Sequence, residues 1–259
     1  MLLILTGQIN KSEVSPIYSR VWVDILNKVD DFVAKAAGPV WFRGHNDHTH
    51  LLQSGLFRVN LESMADYLTV ESHYYQYYKN LGYLLHENAE GWSLVYSLQH
   101  HGGKTRLLDW SESFAIAVYF ALCNWSSEKA AIWMLDPLEL NNLAVNRKVI
   151  ISPAPAFFPY PEAYVSGQAI PSIAVYPIKN TQRICSQHGV FTVQGNCSEA
   201  LDKEFGGQLV KSGHLVYIEL TREVQADAVR YIKQNGISHF SLFPDLDGLA
   251  TYLNQLLLK

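Results

Sequence analysis

The sequence is poor in cysteine. Its 259 residues include three, Cys123, Cys185 and Cys197, and no two of them form a Cys-x-x-Cys pair. Disulfide-stapled folds and cysteine-based zinc sites depend on paired, regularly spaced cysteines, so we expect neither. No neighbouring pattern marks Cys185 as a catalytic nucleophile. Such low cysteine use predicts a protein of a reducing, cytoplasmic compartment.

Long apolar runs are also missing. The longest, residues 114–123, has about half of the ~20 residues that a helix needs to cross a bilayer. The apolar start, Met1 to Leu5, has no basic residue before it and turns polar at Thr6. It therefore does not resemble a signal peptide. The sequence predicts no association with a membrane.

Charged residues make up only 17% of the sequence, below the usual share of about 25%. Lys and Arg total 20 and Asp and Glu total 24, which gives a net charge of −4. Without a basic excess we expect no broad nucleic-acid surface, because such surfaces neutralise phosphates; a local basic patch stays open. The hydrophobic share of 48% excludes bulk disorder and allows a sizeable core.

The chain is predicted to form one α+β domain over residues 1–259. Strands are predicted at residues 40–44, 130–135, 189–193 and 214–220, and helices at 61–86, 113–122, 223–234 and from 246 onward. Because these elements do not alternate as βαβ units, a mixed fold is favoured over a doubly wound parallel sheet. Residues 152–177 hold six of the ten prolines, which predicts a long irregular excursion.

The most distinctive segment is residues 99–111, with the sequence QHHGGKTRLLDWS. It predicts a polar, glycine-containing loop that runs into a helix apolar on nearly every face, and such a helix is buried. Asp109 and Glu112 have the spacing of a capping box at the start of that helix.

A helix N-terminus at this point would suit an anion, since it presents free N–H groups and a partial positive charge. Lys104, Thr105 and Arg106 could add hydrogen-bond donors. A purely structural turn explains the same residues equally well, with Arg106 paired to Asp109 or to a backbone carbonyl.

Standard catalytic and cofactor motifs are absent. The sequence has no P-loop, no Gly-x-Gly-x-x-Gly and no Gly-x-Ser-x-Gly. A histidine-rich turn, with His45, Asp47 and His48, contains residue types that ligate zinc. No spacing marks the distant ligand that would complete the site, and histidines in polar turns are more often solvated. We therefore expect no bound metal.

Several ordered sequence blocks resemble the FRG domain family, named for its Phe-Arg-Gly tripeptide. The blocks cover roughly residues 20–255 and are WFRG at 41–44 with LFR at 56–58, the 99–111 segment with AVYFA at 117–121, residues 183–191, and FPDLDGL at 243–249. The tripeptide alone is weak, but four blocks in the same order are specific.

A weaker similarity connects the same blocks to the Arg-Ser-Glu ADP-ribosyltransferases. That resemblance implies a split, antiparallel-rich central sheet flanked by helices, and it implies NAD as the ligand. It places Arg43 where that superfamily's arginine contacts NAD, and Ser111 near the serine motif that scaffolds the nicotinamide pocket. Residues 180–191 take the place of the strand that carries the catalytic glutamate.

The resemblances define the candidate site. Candidate catalytic residues are Arg43, Asp109 and Gln187. Candidate NAD-binding residues are Arg43, Gly44, Gln99, His100, Thr105, Arg106, Trp110, Ser111 and Arg183. The implied reaction breaks the nicotinamide–ribose bond through an oxocarbenium-like state, which a facing carboxylate stabilises.

The sequence departs from the transferase pattern, because residues 180–189 contain no Glu or Asp. An amide such as that of Gln187 can orient an acceptor but supplies no negative charge. Asp109, Glu112 or Glu219 could supply it from elsewhere. Three outcomes stay open: an unusual transferase, a weak NAD glycohydrolase, or a nucleotide-binding domain without turnover.

Three functional hypotheses follow. The first is an NAD-using effector or toxin in bacterial or phage conflict. The second is a binding module, for a nucleotide or a protein partner, that performs no chemistry. The third is a metal-dependent hydrolase or nuclease that uses His45, Asp47, His48, His100 or His101. For Arg43, a structural brace through Asp109 is the alternative to an NAD contact.

Overall fold

A six-stranded antiparallel sheet lies at the centre of the computed structural model, which describes residues 17–86, 89–152, 160, 164, 169–179 and 181–258. The strands are β1 Trp41–His45, β2 Leu107–Ser111, β3 Lys129–Leu135, β4 Ile173–Val175, β5 Gly189–Val193 and β6 Leu215–Thr221, in the spatial order β4-β5-β2-β1-β3-β6. The predicted α+β class is confirmed, and the four predicted strands lie within one residue of their expected bounds.

Helices flank this sheet. They are α1 Arg20–Lys35, α2 Met64–Leu81, α3 Gly91–His100, α4 Phe114–Leu122, α5 Pro137–Val145, α6 Gln182–Ser186, α7 Gln208–Lys211, α8 Gln225–Gln234, α9 His239–Leu242 and α10 Leu246–Leu257. A short 3-10 turn occupies Arg222–Val224, and Glu204–Gly207 form a tight turn in which Phe205 and Gly206 are left-handed. Within the described ranges, no helix has both the length and the apolar character needed to span a membrane.

The junction between β1 and β2 is the weakest in the sheet. β2 pairs with β5 over five residues, and β1 pairs with β3 over five, but β1 and β2 are joined by the single pair Phe42–Ser111. The sheet is continuous, yet its two halves diverge immediately beyond this pair. One continuous sheet, with a one-residue connection near its centre, therefore stands where the transferase resemblance implied a split sheet.

Helix α4 packs directly on β1, and its predicted burial is confirmed. Ile116, Val118 and Ala121 are at most 1% exposed. Gly44 makes the close approach possible, since a Cβ atom there would lie 1.9 Å from the Ala117 carbonyl oxygen. A side chain at residue 44 would push α4 off the strand.

The predicted capping box is wrong. Asp109 belongs to β2, where it lies opposite Phe191 of β5. Helix α4 begins only at Phe114, after Ser113, whose side chain makes no capping hydrogen bond. Pairing with β5 provides backbone partners that local sequence cannot reveal, and it holds residues 107–111 extended. Helix α3 also reaches His100, so the loop is confined to residues 101–106.

The predicted proline-rich excursion, residues 152–177, is only partly irregular. Its residues 173–175 form β4, which pairs antiparallel with β5 at the sheet edge. Tyr160 and Tyr164 are buried in the core beneath α3. Residues 169–172 and 176–177 are irregular, as predicted, and residues 153–159, 161–163 and 165–168 lie outside the described residues.

Candidate functional site

A cleft of about 430 Å³ opens where β1 and β2 diverge. Strands β1 and β2 supply its floor, α4 forms one wall, and the segment around α6 forms another. Eight predicted site residues line it: Arg43, Gly44, Gln99, Asp109, Trp110, Ser111, Arg183 and Gln187. His100 lines a smaller adjoining recess of about 50 Å³. Thr105 and Arg106 line neither.

Arg43 connects the two diverging strands. Its Nη1 donates to the carbonyl oxygen of Asp109 at 2.5 Å, and its Nε donates to His45 Nε2 at 2.9 Å. The Arg43 side chain thus links β1 to β2 where the two strands no longer pair through their backbones. It is still 17% exposed at the cleft, and no described residue hydrogen-bonds to its Nη2. Arg43 is therefore both a brace and a cleft residue.

The electrostatics around Arg43 keep His45 neutral. Burial lowers the pKa of His45 to about 2, and the positive charges of Arg43 and Arg58 act in the same direction. Burial also lowers the pKa of Arg43 to about 10, while the Asp109 carboxylate opposes this shift and Arg58 adds to it. At neutral pH a cationic guanidinium therefore donates to an uncharged imidazole.

Asp109 presents its carboxylate to the cleft, with 58% of the side chain exposed. Its Oδ2 lies 3.9 Å from Arg43 Nη1 and accepts a hydrogen bond from Gln99 Nε2 at 2.9 Å. Gln99 in turn accepts from the Thr105 hydroxyl at 2.6 Å. Thr105 is thus a buried residue that acts through Gln99, and the network fixes the direction of the carboxylate.

Two more arginines line the cleft. The Arg183 guanidinium lies 4.6 Å from the centre of the Phe243 ring, and its Nη1 donates to the His100 carbonyl at 3.3 Å. Burial lowers the pKa of Arg58, and the charge of Asp109 partly restores it. Together with Arg43, three cations line the cleft with one carboxylate, so the cleft favours an anion.

Ser111 and Gln187 hold the far wall of the cleft. The Ser111 hydroxyl donates to the Gln187 carbonyl oxygen at 2.8 Å and accepts from the Ser113 N–H at 3.1 Å. Gln187 Nε2 donates to the Leu242 carbonyl at 3.1 Å. Both side chains therefore tie the sheet to α6 and α9, and what Gln187 can still offer is its amide oxygen.

Arg106 lies in the core instead of the cleft. It is 0% exposed, and its Nε donates to Glu71 Oε1 at 2.6 Å while its Nη2 bonds to the other Glu71 oxygen. Nη1 donates to the Gln194 carbonyl at 2.7 Å, and the guanidinium lies 3.7 Å from the centre of the Tyr164 ring. Of the structural alternatives for Arg106, pairing to a carbonyl is correct and pairing to Asp109 is wrong.

The other candidate acids lie away from the cleft. Glu112 accepts from the Tyr176 hydroxyl at 3.2 Å, and Glu219 forms an ion pair with Lys129 at 2.9 Å. Neither lines the cleft, whereas Asp109 does. Among the described residues, Asp109 is therefore the one carboxylate that can face a ligand bound there.

The histidine-rich turn does not assemble a metal centre. His45 and His50 line the cleft with ring centres 5.9 Å apart, but His45 Nε2 is occupied by Arg43. In the described ranges, the one group with metal-ligand geometry is elsewhere, formed by Asp136, Glu139 and His214. Its Glu139 is already paired with Lys148.

Several cleft residues are not among those expected from the sequence, chiefly Arg58, His50, Phe120 and Cys123. Arg58 was visible as the last residue of the LFR block, but nothing in that block assigns it a role. Phe120 and Cys123 reach the cleft because α4 packs on Gly44, and His50 reaches it because the turn after β1 folds back. Neither arrangement can be predicted from the local sequence.

Comparisons with known proteins bear on the central part of this site. A search of curated proteins and a search of solved structures both find no match. A family model does match, over residues 38–130, a range that holds Arg43, Arg58, Gln99 and Asp109. The expected family resemblance is thereby confirmed for this part of the chain: residues 38–130 match the FRG domain.

Proposed function

We propose that the cleft binds a phosphate-bearing nucleotide, with NAD as the ligand, and that Asp109 faces the ribose of that ligand. The observation that carries this proposal is the grouping of Arg43, Arg58 and Arg183 with one exposed carboxylate in a single concave site. A volume of about 430 Å³ is within the range of small-molecule sites, roughly 300–1,000 Å³.

The arginines suit phosphate because a guanidinium donates in a planar fork that matches phosphate oxygens. The Arg43 Nη2 group is available for such a contact, since Nε and Nη1 are held by His45 and Asp109. Arg183 is held in place by Phe243. Both cations are therefore preorganised, which reduces the entropy lost when a ligand binds.

The proposed reaction is cleavage of the nicotinamide–ribose bond. The bonding electrons leave with nicotinamide, and the ribose carbon becomes positively charged as the bond breaks. The Asp109 carboxylate, held in position by Gln99, stabilises that charge. Water or a nucleophilic acceptor then forms the new bond and loses a proton. The first case is glycohydrolase activity and the second is ADP-ribosyl transfer.

A binding module without turnover is the second candidate function. The observation that favours it is the position of Asp109, whose carboxylate lies between a cation and an amide donor. Both partners offset the negative charge of the carboxylate, so it stabilises a positive charge on the ribose carbon less strongly. In this case the nucleotide, or a protein partner, is sensed and released unchanged.

An NAD-consuming activity would suit an effector or toxin in bacterial or phage conflict, and we carry that role forward as part of the proposal. It depends on turnover, so Asp109→Asn is the decisive variant. An asparagine keeps the shape and the acceptor for Gln99 but removes the charge. We expect binding of NAD to change by less than about threefold and release of nicotinamide to fall at least about a hundredfold.

Nicotinamide release and NAD titration by calorimetry measure the two effects separately. Unchanged release in a folded Asp109→Asn protein contradicts the catalytic role of Asp109. NAD binding without release in the wild-type protein supports the non-catalytic module instead. No binding of NAD to the wild-type protein overturns the proposal for the cleft.

A further inference from the structure

A second cavity lies beside the cleft and meets it at Arg58. Its volume is about 450 Å³, close to the 430 Å³ of the cleft. Both volumes suit a small organic ligand. Arg58 lines both cavities, so its side chain stands at their junction.

The Arg58 guanidinium makes no direct hydrogen bond or ion pair with the part of the chain that the structure describes. The Asp109 carboxylate raises the pKa of Arg58 only through longer-range charge, and the Arg58 backbone N–H donates to the Ser54 carbonyl at 3.2 Å. Arg43 and Arg183, in contrast, each have side-chain donors engaged by protein atoms. A cation without a partner at the meeting point of two cavities is suited to an anionic group that spans them.

The second cavity has walls that suit a nucleoside. Asn60 supplies an amide, which both donates and accepts hydrogen bonds as the edge of a base requires. Gln53 Nε2 already donates to the Ser198 carbonyl at 2.6 Å, so Gln53 offers chiefly its amide oxygen. Leu61 and Met64 supply apolar surface against which the flat face of a base can pack. The ligand in this cavity would therefore be recognised by its polar edge and its apolar face.

The cavity is also preformed. The rings of Phe57 and Tyr67 stack beneath it with centres 4.9 Å apart. The Tyr67 hydroxyl donates to the Val59 carbonyl at 2.5 Å and accepts from the Leu61 N–H at 3.2 Å. These bonds fix the loop that carries Asn60 against the start of α2, so the cavity does not have to be built when a ligand arrives.

We propose that the two cavities bind a single two-lobed ligand, a dinucleotide whose phosphate linker lies at Arg58. One nucleoside occupies the cleft and the other occupies the second cavity. This inference rests on the proposed function of the cleft and adds the second half of the ligand. It also assigns Arg58 as the residue that binds the phosphate linker between the two nucleosides.

The test blocks the second cavity and leaves the cleft intact. Asn60 is exposed at the cavity wall, so Asn60→Trp fills the cavity without burying a misplaced group. Asn254→Trp, at an exposed position of α10, is the matched control. Arg58→Ala removes the cation. Calorimetric titrations use NAD, nicotinamide mononucleotide and AMP as probes, and thermal melts verify that each variant folds.

We expect NAD to bind the wild-type protein at least about tenfold more tightly than either mononucleotide. Arg58→Ala and Asn60→Trp should each weaken NAD at least about tenfold, while one mononucleotide keeps its affinity within about twofold in Asn60→Trp. Asn254→Trp should behave as the wild type.

Two different results overturn the inference and are distinguishable. If NAD binds and Asn60→Trp binds it as tightly as Asn254→Trp, the ligand is confined to the cleft; the second lobe is then wrong and the proposed function survives. If neither NAD nor a mononucleotide binds the wild-type protein, the proposed function and the inference fail together.

Discussion

The two arginine–carboxylate pairs, Arg106 with Glu71 and Arg43 with Asp109, differ in almost every physical respect. Arg106 is completely buried and grips both oxygens of Glu71. Arg43 faces a cleft, and its Nη1 lies 3.9 Å from the nearer carboxylate oxygen of Asp109. The buried pair has both carboxylate oxygens hydrogen-bonded and no surface that a ligand can reach. The exposed pair still has a free N–H donor on Arg43 and an accessible carboxylate on Asp109.

This difference separates the residues that hold the fold from those that can serve a ligand. Both arginines occur in blocks that resemble the same family, and both were candidate NAD contacts. What distinguishes the two arginines is how deeply each is buried and how many of its N–H donors are already hydrogen-bonded. The following predictions test that distinction, from the largest expected effect to the smallest.

Arg106→Met should destabilise the protein most. The change leaves the Glu71 carboxylate buried without its cation, and breaking a buried pair in this way costs about 3–5 kcal/mol. Denaturant unfolding measures the effect as a lower midpoint. The double variant Arg106→Met with Glu71→Leu should recover part of the loss, because no buried charge then remains; a single variant as stable as the wild type contradicts the structural role.

Stability should fall on acidification because His45 resists protonation in the fold. Its folded pKa is about 2 and its unfolded pKa is about 6.5. Below pH 6.5 the unfolded chain binds a proton that the folded chain does not, so stability is complete above that pH and is lost as pH falls toward 2. From pH 6.5 to 5 the loss should approach about 2 kcal/mol.

His45→Gln provides the comparison for this pH effect, since an amide oxygen can accept from Arg43 but does not titrate. Unfolding measured at several pH values should show a shallower slope in the variant between pH 6.5 and 5. Equal slopes in the two proteins contradict the assignment of this pH dependence to His45.

Arg43→Ala should cost less stability than Arg106→Met. It removes two hydrogen bonds and the link between β1 and β2, which together amount to about 1–3 kcal/mol. Thermal unfolding measures this loss. A loss as large as that of Arg106→Met means that Arg43 is chiefly a structural residue, and Arg43→Lys, which keeps the charge without the fork, separates the two contributions.

Thr105→Val should cost about 1–2 kcal/mol of stability, because it removes a hydroxyl that donates to Gln99 and accepts from the buried Leu107 N–H. The more informative measurement is nicotinamide release. If Gln99 positions Asp109, release should fall several-fold with NAD affinity nearly unchanged. A change in neither quantity contradicts the positioning role of Thr105.

The sequence predicted the regular elements better than the connections between them. Strand β5 and the buried helix α4 were clear because their apolar patterns are strong and local. The capping box at Asp109 was wrong because the same residues serve equally well at the end of a strand. What decides between the two is pairing with β5, some 80 residues away in the chain.

The candidate site shows the same limit. Arg43, Asp109, Arg183 and Gln187 were expected from the ordered blocks, and the fold brings them to one cleft. The partner of Arg106 was not foreseen, because Glu71 lies in a tyrosine-rich helix with no sequence cue for a buried acid. Burial and partner identity are tertiary properties, and they separate a core arginine from a cleft arginine.

The central claim is that the Arg43 region is a ligand site and the Arg106 region is part of the core. The most direct test is calorimetric titration of NAD into the wild-type protein and into folded Arg43→Ala protein. We predict saturable binding to the wild type and at least about tenfold weaker binding to the variant. Equal affinities in the two proteins, or no binding to the wild type, would contradict the account.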